Sequence, residues 1–291
     1  MFQAQGLAKS YGPVRAVDGV DLQVPPGQIV GLVGNNGAGK TTLMKLLCGI
    51  LEPTHGLATL DGRPTSEPAT RVGIGFLPED SPLYDDQTPL QYLAFFGGLY
   101  GLSAAESRRR AEPLLDALRL GREHWAKPIG ELSKGSARKV ALARAFLHDP
   151  AVLLLDEPAS GLDPATRREL DAFLSQQRQR GKAILLSAHN LKQVEELCDG
   201  ILLMHGGRIV AQGSLSELRK QWGTARYRLH ATAPFAGSEP SGSVHVGILA
   251  GLGPAEQAMD QVRAAGGQVL ELESVPPPLD EILRLAAGGA T

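Results

Sequence analysis

The stretch Gly34-Asn35-Asn36-Gly37-Ala38-Gly39-Lys40-Thr41 constrains this chain more than any other. It fits the pattern G-x-x-x-x-G-K-[ST]. The apolar run Ile29–Val33 before it reads as a buried strand. Leu43, Met44, Leu46 and Leu47 after it read as one face of a helix. Strand, loop and helix in that order are the context in which this pattern cradles phosphate. Glycines let successive backbone N–H groups turn inward, and the helix N-terminus adds partial positive charge. Lys40 then reaches the β- and γ-phosphates of a nucleoside triphosphate, and the Thr41 hydroxyl is placed to bind Mg²⁺.

From Leu7 to about Gln212 short apolar strands alternate with helical segments. The strands are expected at Ile29–Val33, Val72–Leu77, Val152–Leu155, Ala183–Ser187, Ile201–His205 and Arg208–Gln212. Such alternation predicts an α/β fold with a mostly parallel sheet and helices on both faces. Leu7–Lys9 and Val20–Val24 predict an antiparallel edge, and Gly206-Gly207 a hairpin turn. Residues of about 82–149 carry helical patterns (Leu90–Gly101, Ala104–Leu120, Ser136–His148) and read as an inserted helical subdomain. The Pro-, Gly- and Ser-rich segment Ala233–Ser243 reads as a linker. A core domain over 1–221 and a small C-terminal α/β appendage over 222–291 follow.

Two more features carry chemistry on their own residues. The apolar run Ala151–Leu155 ends in Asp156-Glu157. A buried parallel strand accounts for the run but not for two carboxylates at its end, where ligands sit in such sheets. Asp156 is placed to hold Mg²⁺ and Glu157 to polarise an attacking water. His189 follows the strand Ala183–Ser187 at its carboxyl end, which favours a place in the same site over a structural role. Leu132-Ser133-Lys134-Gly135-Ser136 precedes a helix and is either a second anion site or a plain helix cap.

Composition narrows the alternatives. The 291 residues carry a formal net charge of −2, so no global charge calls for a nucleic-acid partner. Cys48 and Cys198 have no metal or disulfide spacing and are expected to be buried thiols. Met1–Gln5 lacks the basic flank and apolar run of a secretory leader. No stretch approaches the roughly 20 apolar residues of a membrane span. A soluble cytosolic protein is expected.

Taken in order, GNNGAGKTT, LSKGS, LLLDEP, SGLD and SAHN resemble the ATP-binding subunit of ABC transporters, over about residues 2–220. The resemblance implies a P-loop NTPase core that binds and hydrolyses ATP with Mg²⁺. It implies that Asn35, Asn36, Gly37, Ala38, Gly39, Lys40, Thr41 and Thr42 hold the phosphates. It implies that Tyr11 stacks on adenine and that Glu79 and Asp156 join Thr41 at the metal. Glu157 matches the catalytic base and His189 the histidine that contacts the γ-phosphate. Ser133 and Gly135 match the signature that meets the nucleotide of a second subunit, and Asp163 the loop crossing that interface.

Two positions depart from the family pattern. Lys134 and Ser136 replace the Gly and Gln of the usual LSGGQ, and Glu79 stands where a glutamine is usual. LSKG, the FLPED loop and the Pro-Pro-Pro-Leu-Asp-Glu-Ile-Leu tail are similar to exporter-type members, although Ile282 occupies a usual aromatic position. The implied partners are a second or homologous ATPase subunit, head to tail, and a transmembrane permease, which would hold the chain on the inner face of the membrane. The competing reading is an ABC ATPase of repair, translation or regulation. Long coiled coils and a second cassette, the usual marks of the first two, are missing from this sequence.

Overall fold

Ile29–Val33 is buried at all five positions, and a strand buried on both faces needs neighbours on both edges. The computed structural model supplies them and describes residues 1–223 and 225–288. Residues 224 and 289–291, part of the expected appendage, lie outside the described residues. The chain divides into two compact units, Met1–Gln212 and Gly213–Thr291.

In the first unit the elements run β1 (Phe2–Tyr11), β2 (Val14–Val24), β3 (Ile29–Val33), α1 (Lys40–Leu47), β4 (His55–Leu60), β5 (Arg63–Pro64) and α2 (Pro68–Arg71). They continue with β6 (Ile74–Leu77), α3 (Pro89–Leu99), α4 (Ala104–Ala117), α5 (Lys134–Phe146), β7 (Val152–Leu155), α6 (Pro164–Gln179), β8 (Ala183–Ser187), α7 (Leu191–Leu197), β9 (Gly200–His205) and β10 (Arg208–Gly213). Six strands form one sheet in the order β10-β9-β3-β8-β7-β6. The pairs β9–β3, β3–β8, β8–β7 and β7–β6 are parallel. Their carboxyl ends therefore lie side by side, and five loops leave from one edge. The expected antiparallel edge is larger than the sequence suggested. It is a separate sheet, β2-β1-β4-β5, antiparallel throughout.

Phe2, Leu7, Val20, Leu22, Leu32, Leu43, Met44, Leu47, Leu154 and Leu185 belong to one buried cluster that joins both sheets through α1. The helical insert sits between β6 and β7, with helices where the 3.6-residue pattern predicts them. Thr88 caps α3 through a capping box with Gln91, and Ser103 caps α4. A Cβ on Gly97 would lie 2.1 Å from the buried Ser107 Oγ, so glycine is what lets α3 and α4 approach there.

Some expectations need correction. The strand expected from Val72 begins at Ile74, because α2 closes with the Gly73 N–H bonded to the Thr70 carbonyl. Cys48 is buried as expected, but Cys198, which ends α7 in extended geometry, is only half-buried.

In the second unit α8 (Leu215–Trp222) leads into β11 (Arg226–Ala231), β12 (Glu239–Ser241), β13 (Val244–Ala250), α9 (Leu252–Ala264), β14 (Val269–Val275) and α10 (Leu279–Gly288). The sheet order is β12-β13-β11-β14, antiparallel throughout. Its core is small: Leu229, Ala231, Ala233, Phe235, Ala258 and Val262. The segment Ala233–Ser243, which reads as a linker in the sequence, carries β12.

Candidate functional site

The loop between β3 and α1 is built around two close approaches. A Cβ on Gly39 would lie 2.3 Å from the Ala16 carbonyl oxygen, and Gly39 has φ 104. A Cβ on Gly34 would lie 2.3 Å from the Met204 carbonyl oxygen. Only glycine accepts either position. Gly37, also at positive φ, has open space beside it. Lys40 opens α1, and its Nζ donates to the carbonyls of Gly34 at 2.7 Å and Asn35 at 3.2 Å. The turn Gly206-Gly207 backs the loop: the Gly207 N–H donates to the Ala38 carbonyl, and the Gly207 carbonyl accepts from Asp18 N–H.

Beside this loop the strand ends stand in sheet order. β8 supplies Ser187 and His189, β7 Asp156 and Glu157, and β6 Glu79. Asp156, Glu157 and Lys40 are 1 %, 7 % and 8 % exposed. The Ser187 hydroxyl donates to Asp156 Oδ1 at 2.6 Å and accepts from Glu157 N–H at 2.9 Å. Asp156 Oδ2 and Glu157 Oε1 are buried and have no hydrogen-bond partner. The His189 N–H donates to Glu157 Oε2 at 3.3 Å, and His189 Nε2 lies 3.5 Å from Glu157 Oε1. Burial pushes the Glu157 carboxyl above its ordinary 4.5, and His189 and Lys40 pull the other way. Glu157 also has φ 48, a left-handed backbone that costs a non-glycine residue about 1–2 kcal/mol. Strain of this kind gathers where surrounding structure over-determines a functional group.

A cavity of about 570 Å³ collects these groups. Its wall includes Asn36, Gly37, Gly39, Lys40, Thr41, Thr42, Glu79, Asp156, Glu157 and His189. The phosphate loop, both carboxylates and the histidine thus meet, as the sequence predicted. Val14, Arg15, Ala16, Gly206 and Gly207 complete the wall, and sequence reasoning missed them as site residues. The hairpin signal at Gly206-Gly207 gave their turn but not their position.

Other predicted residues stand elsewhere. Asn35 and Ala38 shape the loop from behind, through the Ala38 N–H to Asn35 carbonyl bond. Tyr11 is 52 % exposed at the end of β1, off the wall, with Lys9 Nζ 5.5 Å above its ring. Ser133 caps α5 by accepting from Ser136 N–H at 3.1 Å, and neither it nor Gly135 lines the cavity. Asp163 caps α6, accepting from Ala165 and Thr166 N–H and from the Thr166 hydroxyl, which holds its carboxyl below the usual range.

Among the described residues no three His, Cys, Asp or Glu side chains gather into a metal cluster. The donor set still suits a hard cation. Asp156 Oδ2, which accepts no hydrogen bond, the Thr41 hydroxyl and the exposed Glu79 are oxygen donors on one cavity. Mg²⁺ is commonly held by one or two carboxylates with substrate phosphates completing its shell. Cys48 and Cys198 take no part, since burial pushes their thiols up to about 11 and about 12.

Comparison with known proteins agrees with this geometry. The family model described as ABC transporter matches residues 17–160. The ABC transporter ATP-binding protein NatA of Bacillus subtilis (strain 168) is 40 % identical over 210 residues, covering 70 % of this chain and 84 % of the relative. The Nod factor export ATP-binding protein I of Paraburkholderia xenovorans (strain LB400) is 41 % identical over 214 residues, covering 73 % and 70 %. A solved ATP binding subunit of an ABC transporter superposes with TM-score 0.71 at 34 % identity, over 77 % of this chain and 93 % of that one. The dimeric cassette MJ0796, at 23 % identity and TM-score 0.68, over 74 % of this chain and 99 % of that one, shares the fold.

Proposed function

This chain belongs to the ABC transporter family of ATP-binding proteins, and we propose that its cavity hydrolyses ATP between two copies to drive a membrane permease. The observation that carries this reading is the pair of buried carboxylate oxygens, Asp156 Oδ2 and Glu157 Oε1, that accept no hydrogen bond on a cavity shared with Lys40 and Thr41. A buried carboxylate oxygen without a hydrogen bond costs stability and persists where a ligand or a reaction uses it.

In this mechanism the backbone of residues 36–42 and the Lys40 ammonium bind the β- and γ-phosphates. Thr41, Asp156 and Glu79 would hold Mg²⁺, which supplies charge neutralisation on the phosphate oxygens. Glu157 accepts the proton of the attacking water, a role favoured by its raised proton affinity. His189, tied to Glu157 through its own N–H, contacts the γ-phosphate. The nucleotide is enclosed when Ser133 and Gly135 of a second copy reach it, with Asp163 in the loop at that interface. Their position off the cavity wall of their own chain supports action on the other copy. Tyr11 would reach adenine from the rim, with Val14 and Arg15 as the nearer wall.

The permease reading is supported by aromatic residues gathered at the helical insert. Tyr84 and Phe95 are 48 % and 46 % exposed and pack edge to face, with Tyr92 buried beneath. Nearby, Phe76, Phe96, Tyr100, Arg71 and Arg144 line a groove of about 270 Å³. No helix among the described residues is long and apolar enough to cross a membrane, so the moving element would belong to a partner. Export as the direction is supported by the name of the Nod factor relative and by the LSKG signature.

The test is MgATP hydrolysis by the purified chain over a range of protein concentrations. Specific activity should rise with concentration, as for a site completed by a second copy. Activity independent of concentration would overturn the shared site, and none at all would overturn the hydrolase.

A further inference from the structure

Arg138 sits on α5, five residues after Ser133. Its guanidinium donates to the carbonyls of Pro78 at 3.1 Å and Glu79 at 2.9 Å, in the loop after β6. It also donates to the carbonyls of Asp156 at 2.9 Å, Glu157 at 2.8 Å and Pro158 at 3.4 Å, after β7. One side chain therefore holds the two loops that bring Glu79, Asp156 and Glu157 to the cavity. Burial draws down its proton affinity, with Asp156, Glu79 and Glu157 opposing that effect. The planar fork is what allows this, because its five N–H groups diverge in fixed directions. A lysine ammonium could serve one loop but not both.

The clasp falls where the backbone most needs it. Glu157 is left-handed, and its carbonyl accepts from both Arg138 and Ser160 N–H while its own N–H is held by Ser187. The same helix carries, about 7–8 Å along its axis from Arg138, the Ser133 end that stands off its own chain's cavity wall.

We infer that Arg138 is a positioning residue that ties the Ser133–Gly135 end of α5 to Glu79 and Glu157 of its own chain, so that engagement of that end by a second copy's nucleotide sets the hydrolytic geometry of the first. The inference rests on the shared-site reading above and gives that reading a route by which two ATP sites sense one another. α5 is a continuous helix of 13 residues and is the rigid element in that route.

The experiment compares the full-length wild type with Arg138→Gln and Arg138→Lys. It measures kcat, the Hill coefficient for ATP, and MgATP binding to the dilute chain. Misplacing the base by about 1 Å costs on the order of 10²-fold in rate. Arg138→Gln should therefore lose about that much kcat, and its Hill coefficient should fall towards one while MgATP binding is unchanged. Arg138→Lys should recover part of kcat but not the cooperativity. Wild-type kcat and Hill coefficient in both variants would overturn the inference, as would a raised KM at unchanged kcat. So would failure of both variants to fold, which would make Arg138 structural cement alone. A wild type that hydrolyses without cooperativity would instead remove the shared-site reading, and this inference with it.

Discussion

The carboxyl end of the central sheet and the antiparallel sheet of the second unit treat charge in opposite ways. At the first, two carboxylates are buried with one oxygen each accepting no hydrogen bond, and one of them sits on a left-handed backbone. In the second, Arg226 pairs with Glu281 and Arg228 with Glu273, while five small or medium apolar groups and one ring form the core cluster. A buried unsatisfied polar group costs about 1–3 kcal/mol, more when charged. The first unit can carry that cost because its core joins two sheets through α1. A core the size of the second unit's has little margin. Buried carboxylate oxygens without a hydrogen bond thus lie where the fold is most heavily supported, and that is where chemistry is expected.

The largest effect should come from the supported side. Glu157→Gln should lower kcat by about 10²–10⁴-fold, the range for a general base, while nucleotide still binds and closed dimers accumulate. Gel filtration with MgATP and a turnover assay check this. Wild-type turnover would move the base elsewhere and remove the reason for the strain at Glu157.

A smaller effect should come from the other side. Leu229 is fully buried in the second unit, and Leu229→Ala should cost that unit about 2–5 kcal/mol. Calorimetry should show an earlier transition for the second unit, with kcat per folded chain unchanged. A matching loss of kcat would mean that the two regions are not energetically separate.

The smallest effect is in pH. Glu157 has a raised proton affinity in the folded chain, so the acid limb of kcat/KM should lie above the range of an exposed glutamate. The folded state binds that proton more tightly than the unfolded state. Ionising the group therefore costs stability as pH rises from about 4.5 through the folded value. The stability of Glu157→Gln relative to wild type should accordingly grow over that rise. Melting curves at several pH values would reveal a flat or reversed difference if burial did not dominate.

Much of the supported region could be read from residue order alone. The phosphate loop demands glycine and lysine at fixed places, and a carboxylate pair ending an apolar strand has few other uses. Arg138 left no such trace. An arginine on a half-exposed helix reads as solvated, and its partners lie up to 60 residues away. Val14, Arg15 and Ala16 were hidden for a related reason, since only the packing of two sheets brings them to the loop. In the second unit β11 was missed because four of its six positions are half-exposed, which blurs the alternation. β4 was missed because its first three positions are exposed.

The register of β7 against β8 has a further consequence. Leu154 faces Leu185 and Leu155 faces Leu186, which puts Asp156 level with the Ser187 that holds it. A slip of one residue would turn every side chain of β7 to the opposite face. Asp156 would then lose Ser187, and both carboxylates would leave the phosphate loop together. The alignment works as an interlock: a wrongly assembled chain cannot fire, and fuel is spent only by copies that have folded correctly.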